Sequence, residues 1–326
     1  MVRFQSALLA LTLVVCGTRS ADAIVFSLDP SSPSIGGPIG PADLLAPGPA
    51  GSPPVVVIPF NFMGLVIGDD IDAVSFGPFQ GNEAHFSVDR TSTGQNTTVI
   101  ATEAAANQQA ADIYSDLFPI QLDNVNSLTA NQDALGLTPN LAAGTFNQGS
   151  QDNIDALDMD LASLADFNGD GIPDIPIYFS LAPGSPTLGI LGSKPGDILV
   201  TQGGALPNIA VSHQTLLLTA QDDVDALLYD PGNVVPLISL TALSPSAAGF
   251  SGADVYSPTI PQGFLGPSLL AGTISTLGLL TTDELDAFSD RAVLPSTPPI
   301  VPEPGTLLLI IIAASTVTPR RRAAGR

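Results

Sequence analysis

The nine residues "DFNGDGIPD" (166–174) carry the most specific ligand spacing in the chain. Asp166, Asn168, Asp170 and Asp174 fall at positions 1, 3, 5 and 9 of a calcium loop, with Gly171 at position 6 and Ile172 at position 7. Alternate side chains turn inward as such a loop curls. The glycine permits the sharp turn and the residue at position 7 gives its carbonyl. Position 12 is Ile177, where a helix-flanked hand carries a bidentate Glu. The expectation is therefore a short Asp-rich loop that clips strands together around Ca2+. The competing reading is an Asx-rich turn with solvated carboxylates.

A second carboxylate set recurs four times: "DDIDAV" at 69–74, "DNIDAL" at 152–157, "DDVDAL" at 222–227 and "DELDAF" at 283–288. Asp72, Asp155, Asp225 and Asp286 are its equivalent positions. Arranged around one axis, four carboxylates would hold a cation. The simpler reading, and the preferred one, is that each Asp caps the turn before its own strand.

Little else in the chain points to chemistry. His85 and His213 are its two histidines. Neither lies near a Gly-x-Ser-x-Gly elbow or a second cluster of metal-type ligands, so each reads as a strand-face or loop histidine. With so many acids some carboxylates must meet, which keeps a secreted polysaccharide hydrolase using paired Asp as the alternative to a non-enzymatic protein.

The elements that must position these residues are themselves repeated. A second phrase accompanies the first: "FSLDPSSPSIG" (26–36), "FSVDRTSTG" (86–94), "FSLAPGSPTLG" (179–189) and "ISLTALSPSAAG" (238–249). A third lies between them: "PADLL" (41–45), "AADIY" (110–114), "PGDIL" (195–199) and "GADVY" (252–256). The second unit is the longest and contains the Ala-rich 102–118, which reads as a short helix. Each unit reads as four short strands, of the types "IDAVSF", "AHFSV", "DILVT" and "VVVIPF", parted by turns such as "APGSP" and "DPGN". Four antiparallel strands in about 60 residues outline a propeller blade. The chain opens on the second phrase and ends on the first, so in a ring the last strand would complete the first blade and remove two exposed edges. The predicted fold is all-β: a four-repeat, four-bladed β-propeller closed by the C-terminal strand, with one or two β-sandwich domains as the alternative.

The Asp-Ala phrases, each followed by a strand, resemble the hemopexin-type repeat. That resemblance implies four blades; it covers about fifteen residues per unit and carries over no ligand residues.

The predicted organisation is a signal peptide (1–23), a four-repeat β domain (24–290, units 24–77, 78–160, 161–230 and 231–290), a Pro-rich linker (291–300) and a C-terminal segment (301–326). Arg3, the apolar run 4–15 and Ala21-Asp22-Ala23 have the order of an export signal, which places the mature start near Ile24. The one cysteine, Cys16, leaves with it, so disulfides and Cys-ligated metals are excluded. Between residues 24 and 303 the basic residues are Arg90, Lys194 and Arg291, while all of the chain's 31 acidic residues except Asp22 lie there. A surface of that sign excludes nucleic acid as a partner.

The C-terminal segment joins Pro302-Glu303-Pro304, an apolar run from Thr306 to Val317, and Arg320-Arg321-Arg322. Motif, order and position resemble the PEP-CTERM sorting signal. The resemblance implies recognition by exosortase, a membrane transpeptidase-like enzyme, and transient insertion in the inner membrane with the arginines on the cytoplasmic side. At about 12 residues the run is short for a span of ~20, which suits a label destined for removal better than a permanent anchor. The implied protein is an exported envelope or matrix component, associated with exopolysaccharide or other matrix proteins.

Overall fold

Short β-branched and aromatic runs broken by Pro and Gly cannot sustain long helices, and strands dominate. The computed structural model describes residues 23–49, 52–76, 83–117, 126–137, 151–159, 176–202, 205–229, 236–247, 251–256 and 277–292. The strands are β1 (Ala23–Leu28), β2 (Leu44–Ala46), β3 (Val55–Ile58), β4 (Ala73–Ser75), β5 (Glu83–Ser87), β6 (Ile113–Leu117) and β7 (Ser127–Ala130). They continue with β8 (Ile154–Met159), β9 (Ile177–Leu181), β10 (Ile198–Gln202), β11 (Ala205–Val211), β12 (Val224–Leu228), β13 (Leu237–Leu240) and β14 (Leu285–Ala292). Two short helices, α1 (Val99–Ala106) and α2 (Pro186–Leu191), sit in connections.

The class is all-β. The strands form small antiparallel sheets: β4-β5-β6-β7, β8-β9-β10-β11, β12-β13, and β14-β1-β2-β3. A bridge from Ile238 to Tyr256 adds a further segment beside β13. Each sheet takes its first strand from the end of one sequence unit and the rest from the start of the next. The last strand pairs with the first, Leu285 with Leu28, Phe288 with Phe26 and Ala292 with Ala23, as the order of the phrases predicts.

The Ala-rich stretch departs from expectation. α1 starts earlier, capped by Thr98, and stops at Ala106 because Asn107 takes the left-handed conformation (φ 56°). Ile113–Leu117, further along the same stretch, is strand β6 instead of helix, because Ile113 and Tyr114 fill two apolar cores rather than one helical stripe.

The Asp-phrase strands β4, β8, β12 and β14 pack against one another in chain order, and β14 returns to β4. Around them lie four apolar clusters, one between each pair of neighbouring sheets. The phrase explains the arrangement. Ile71 and Val74 fill the first cluster, Ile154 and Leu157 the second, Val224 and Leu227 the third, Leu285 and Phe288 the fourth. The alanine between them faces the adjoining cluster each time: Ala73 the second, Ala156 the third, Ala226 the fourth and Ala287 the first. The inner strands are thus shared between two cores. A small residue is needed there because two sheets approach at that point.

Among the described residues no helix is long and apolar enough to cross a membrane. Residues 1–22 and 301–326 lie outside the described residues, while Ala23, the last residue of the expected signal segment, is the first of β1.

Candidate metal centre

The four Asp phrases divide their acids between two tasks. The first Asp of each is a turn cap, as the simpler sequence reading has it. Asp69 accepts from the N–H groups of Val66, Thr93 and Gly94. Asp152 accepts from the Thr187 N–H and hydroxyl, Asp222 from those of Ser246, and Asp283 from those of Ser34. In these three cases the partner is the second hydroxyl residue of the S-x-S/T motif in the FSL-type phrase. For Asp222 burial works upward on its pKa, but the hydrogen bonds from Ser246 and Thr219 outweigh it and hold the carboxyl below its usual value.

The fourth residue behaves differently. Asp155, Asp225 and Asp286 each sit at a register irregularity, between Ile154 and Ala156, Val224 and Ala226, and Leu285 and Ala287. An extra residue in one strand leaves the ladder and its side chain is re-aimed. The three acids, with Asp72 just before β4, turn to the centre where the inner strands meet. Cap function does not describe them: this corrects the expectation that every Asp of the phrase serves its own turn.

The second residue of the phrase joins them. Its backbone N–H is fixed by a serine of the FSL-type phrase, the first of the S-x-S/T motif in three cases: Asn153 by Ser185, Asp223 by Ser244 and Glu284 by Ser32, with Asp70 held by Ser92 of the adjacent pair Ser92-Thr93. Its side chain then meets the fourth residue of the preceding phrase. Asn153 Nδ2 donates to Asp72 Oδ2 at 2.6 Å. Asp223 bonds Asp155, and Asp70 bonds Asp286, carboxyl to carboxyl. At the last junction Glu284 turns away and accepts from the Ala242 N–H, so Asp225 has no such partner.

The result is a polar centre inside an apolar shell. Asp70, Asp72 and Asp286 bring one oxygen each to within 4.8 Å of one another. Buried oxygens that no N–H or hydroxyl group reaches remain on Asp70 (Oδ1), Asn153 (Oδ1), Asp155 (Oδ2), Asp223 (Oδ1), Asp225 (Oδ2) and Asp286 (Oδ2). Burial pushes Asp70 up to about 8 and Asp223 up to about 7. Burial first, and then the charges of their neighbours, hold Asp72, Asp155, Asp225 and Asp286 well above the usual carboxylate range. Arg90 has an influence on Asp72, but its guanidinium is engaged with the Gln151 carbonyl and Ser185 Oγ. Oxygen donors alone, at this density, suit a hard cation.

The other sequence candidates fall elsewhere. Asp166, Asn168, Asp170, Ile172 and Asp174 lie outside the described residues, as do Pro302, Glu303, Pro304 and Arg320 to Arg322. His85 is buried on β5 with Nδ1 3.3 Å from Thr129 Oγ1, and burial lowers its pKa. His213 is a loop residue whose N–H and Nδ1 both meet Asp197, the latter at 2.6 Å. The sequence reading counts Asp70 and Asp223 in the carboxylate set without parting them from the caps, and it missed Asn153 as a partner of the centre. Their signal was present in the second column of the phrase, which is D, N, D, E.

No family model matches the chain, and no curated protein does. Among solved structures, one that the chain is similar to is the crystal structure of the GH74 enzyme of Niastella koreensis. The two are 11% identical with a TM-score of 0.28; the match covers 72% of this chain and 37% of the enzyme. The chain thus spans little more than a third of that protein, and a likeness this slight carries no argument about fold or activity.

Proposed function

We propose that the protein is an exported, non-enzymatic structural or binding protein of the cell envelope or extracellular matrix. In this reading its domain is a closed four-bladed β-propeller and its tail a PEP-CTERM signal read by exosortase. The observation that carries the proposal is the pairing of β1 with β14, Val25 with Ser289 and Phe26 with Phe288. The two segments read as removable labels leave from one end of a single strand pair. Trimming both leaves every described strand in place, β1 losing only Ala23 at its start. The ring is supported by the four cores between successive sheets and by the polar centre. Two sheets stacked face to face would instead bury one apolar layer between them.

A non-enzymatic role is supported by the burial of the paired acids. Asp70, Asp155, Asp223 and Asp286 are each at most 8% exposed, whereas a hydrolytic pair must admit a sugar and a water. The partner in this proposal is matrix polysaccharide or another matrix protein, met by a face of the propeller. The Asp166–Asp174 loop is proposed to take Ca2+ as a clip between strands.

Mass spectrometry of the protein from its native cell tests the sorting reading. A chain that starts near Ile24 and lacks Arg326 is expected; an intact Arg326 overturns it. Glycan-array binding without release of reducing sugar supports a binding protein, while turnover of any glycan overturns the non-enzymatic reading.

A further inference from the structure

We propose that the centre of the fold binds one divalent cation of the Ca2+ type through the carboxylates of Asp70, Asp72 and Asp286. This site is distinct from the Asp166–Asp174 loop and does not rest on the export reading.

The geometry comes first. Ca2+ takes oxygen ligands at about 2.3–2.6 Å, so ligands on opposite sides of it stand about 4.6–5.2 Å apart. The three oxygens lie within 4.8 Å of one another. Mg2+ demands a near-ideal octahedron at about 2.0–2.1 Å and gives up its water reluctantly, which disfavours it in a buried set of carboxylates. The set contains no nitrogen or sulfur donor, which disfavours zinc and copper.

A second observation stands outside the triad. Asp225 Oδ2 has no hydrogen-bond partner, its residue is 5% exposed, and its charge acts on Asp286. Asn153 Oδ1 is likewise buried and without a partner, on the side chain whose amide holds Asp72. A buried polar atom without a partner is rare and calls for an occupant.

Neutrality points the same way. Buried carboxylates need a counter-charge or a proton. Arg90, the basic residue that influences Asp72, is engaged elsewhere, and the strongest influences on Asp286 are burial and the acids Asp70, Asp72 and Asp225. Neutralisation must then come from solvent, as a bound cation or as protons. A cation bound there would tie the β4 phrase to β14, and so join the first and last Asp phrases of the chain.

The test uses the mature chain carrying Asp170→Ala, which silences the loop, after removal of metal with a chelator. Calorimetric titration with CaCl2 is expected to give one equivalent bound, and millimolar CaCl2 to raise Tm by several degrees, with MgCl2 much weaker. The double change Asp72→Asn and Asp286→Asn keeps the side-chain shape and is expected to abolish both effects. Equal binding in a folded double variant overturns the site. Should that variant not fold, equilibrium dialysis of the Asp170→Ala protein decides by itself. One Ca2+ per chain supports the site. A metal-free folded protein in millimolar CaCl2 means that shared protons alone neutralise the acids, and overturns it.

Discussion

Ser34 gives both its backbone N–H (2.9 Å) and its hydroxyl (2.6 Å) to Asp283, a residue 249 positions away. The same Asp283 accepts the Leu280 N–H at 2.6 Å, so one carboxylate satisfies three donors and fastens the last Asp phrase to the first FSL-type phrase. Asp283→Ala leaves all three without an acceptor. Each hydrogen bond to a charged group contributes about 1.5–3 kcal/mol, and water recovers part of the loss because the donors are only partly buried. The expected destabilisation is about 3 kcal/mol by urea unfolding. Asp283→Asn, which keeps one acceptor oxygen, should lose less.

The alanine of the repeated phrase is a packing requirement. Ala156 and Ala226 are fully buried on strands shared between two cores. Ala156→Leu forces extra methylenes between two sheets, and overpacking of this kind costs about 1–3 kcal/mol. Ala156→Gly should also destabilise the fold, by about 0.5–1 kcal/mol, through backbone entropy alone. Equilibrium unfolding of the two variants checks both signs.

Asp112 supplies a pH dependence away from the centre. Burial pushes it up to about 7, partly offset by the Gln132 N–H it accepts at 2.8 Å and reinforced by the charges of Glu103 and Asp133. A carboxyl raised in the folded state binds its proton more tightly there than in the unfolded chain. Its contribution is whole below the ordinary carboxyl value of 3.8 and is lost as the pH climbs through about 7. Unfolding free energy should therefore fall as the pH rises from 3.8 to about 7, and Asp112→Asn should flatten that fall. Asp223, also raised to about 7, contributes with the same sign. Urea denaturation across this pH range in chelator-treated protein is the measurement, and an unchanged slope in the variant would count against the assignment.

Strand β14 marks how far the C-terminus can be trimmed. Its pairing with β1 runs from Leu285 to Ala292. A chain ending at Ala292 should unfold with the Tm of the full mature protein. A chain ending at Asp283 loses β14, and with it Leu285 and Phe288 from the fourth core. It also uncovers Phe26 and Leu28, and is expected to unfold by tens of degrees lower or to aggregate. Scanning calorimetry and light scattering distinguish the two truncations.

Much of this was legible in the chain because repetition makes pattern visible. Four Asp-Ala phrases, four FSL-type phrases and their order pointed to an all-β array whose last strand meets its first. The split among the acids was not legible. Whether Asp155 faces its own turn or the centre depends on a one-residue irregularity beside Ile154, and strand periodicity cannot reveal a bulge that inverts it. The roles of Asn153 and Glu284 were hidden for another reason. They occupy one column of the repeat, yet the longer Glu284 reaches the Ala242 N–H while Asn153 stays with Asp72. The helix at 99–106 was misplaced because alanine content outweighed Asn107, whose left-handed backbone ends it.

The pairing of β1 with β14 has a mechanical side. The domain's two ends emerge together from the open mouth of one antiparallel pair. Tension applied between them opens β1 from β14 like a zipper, one rung at a time, instead of shearing the whole ladder at once. A sheet that resists heat through all its cores together would then yield to a pull at a single seam.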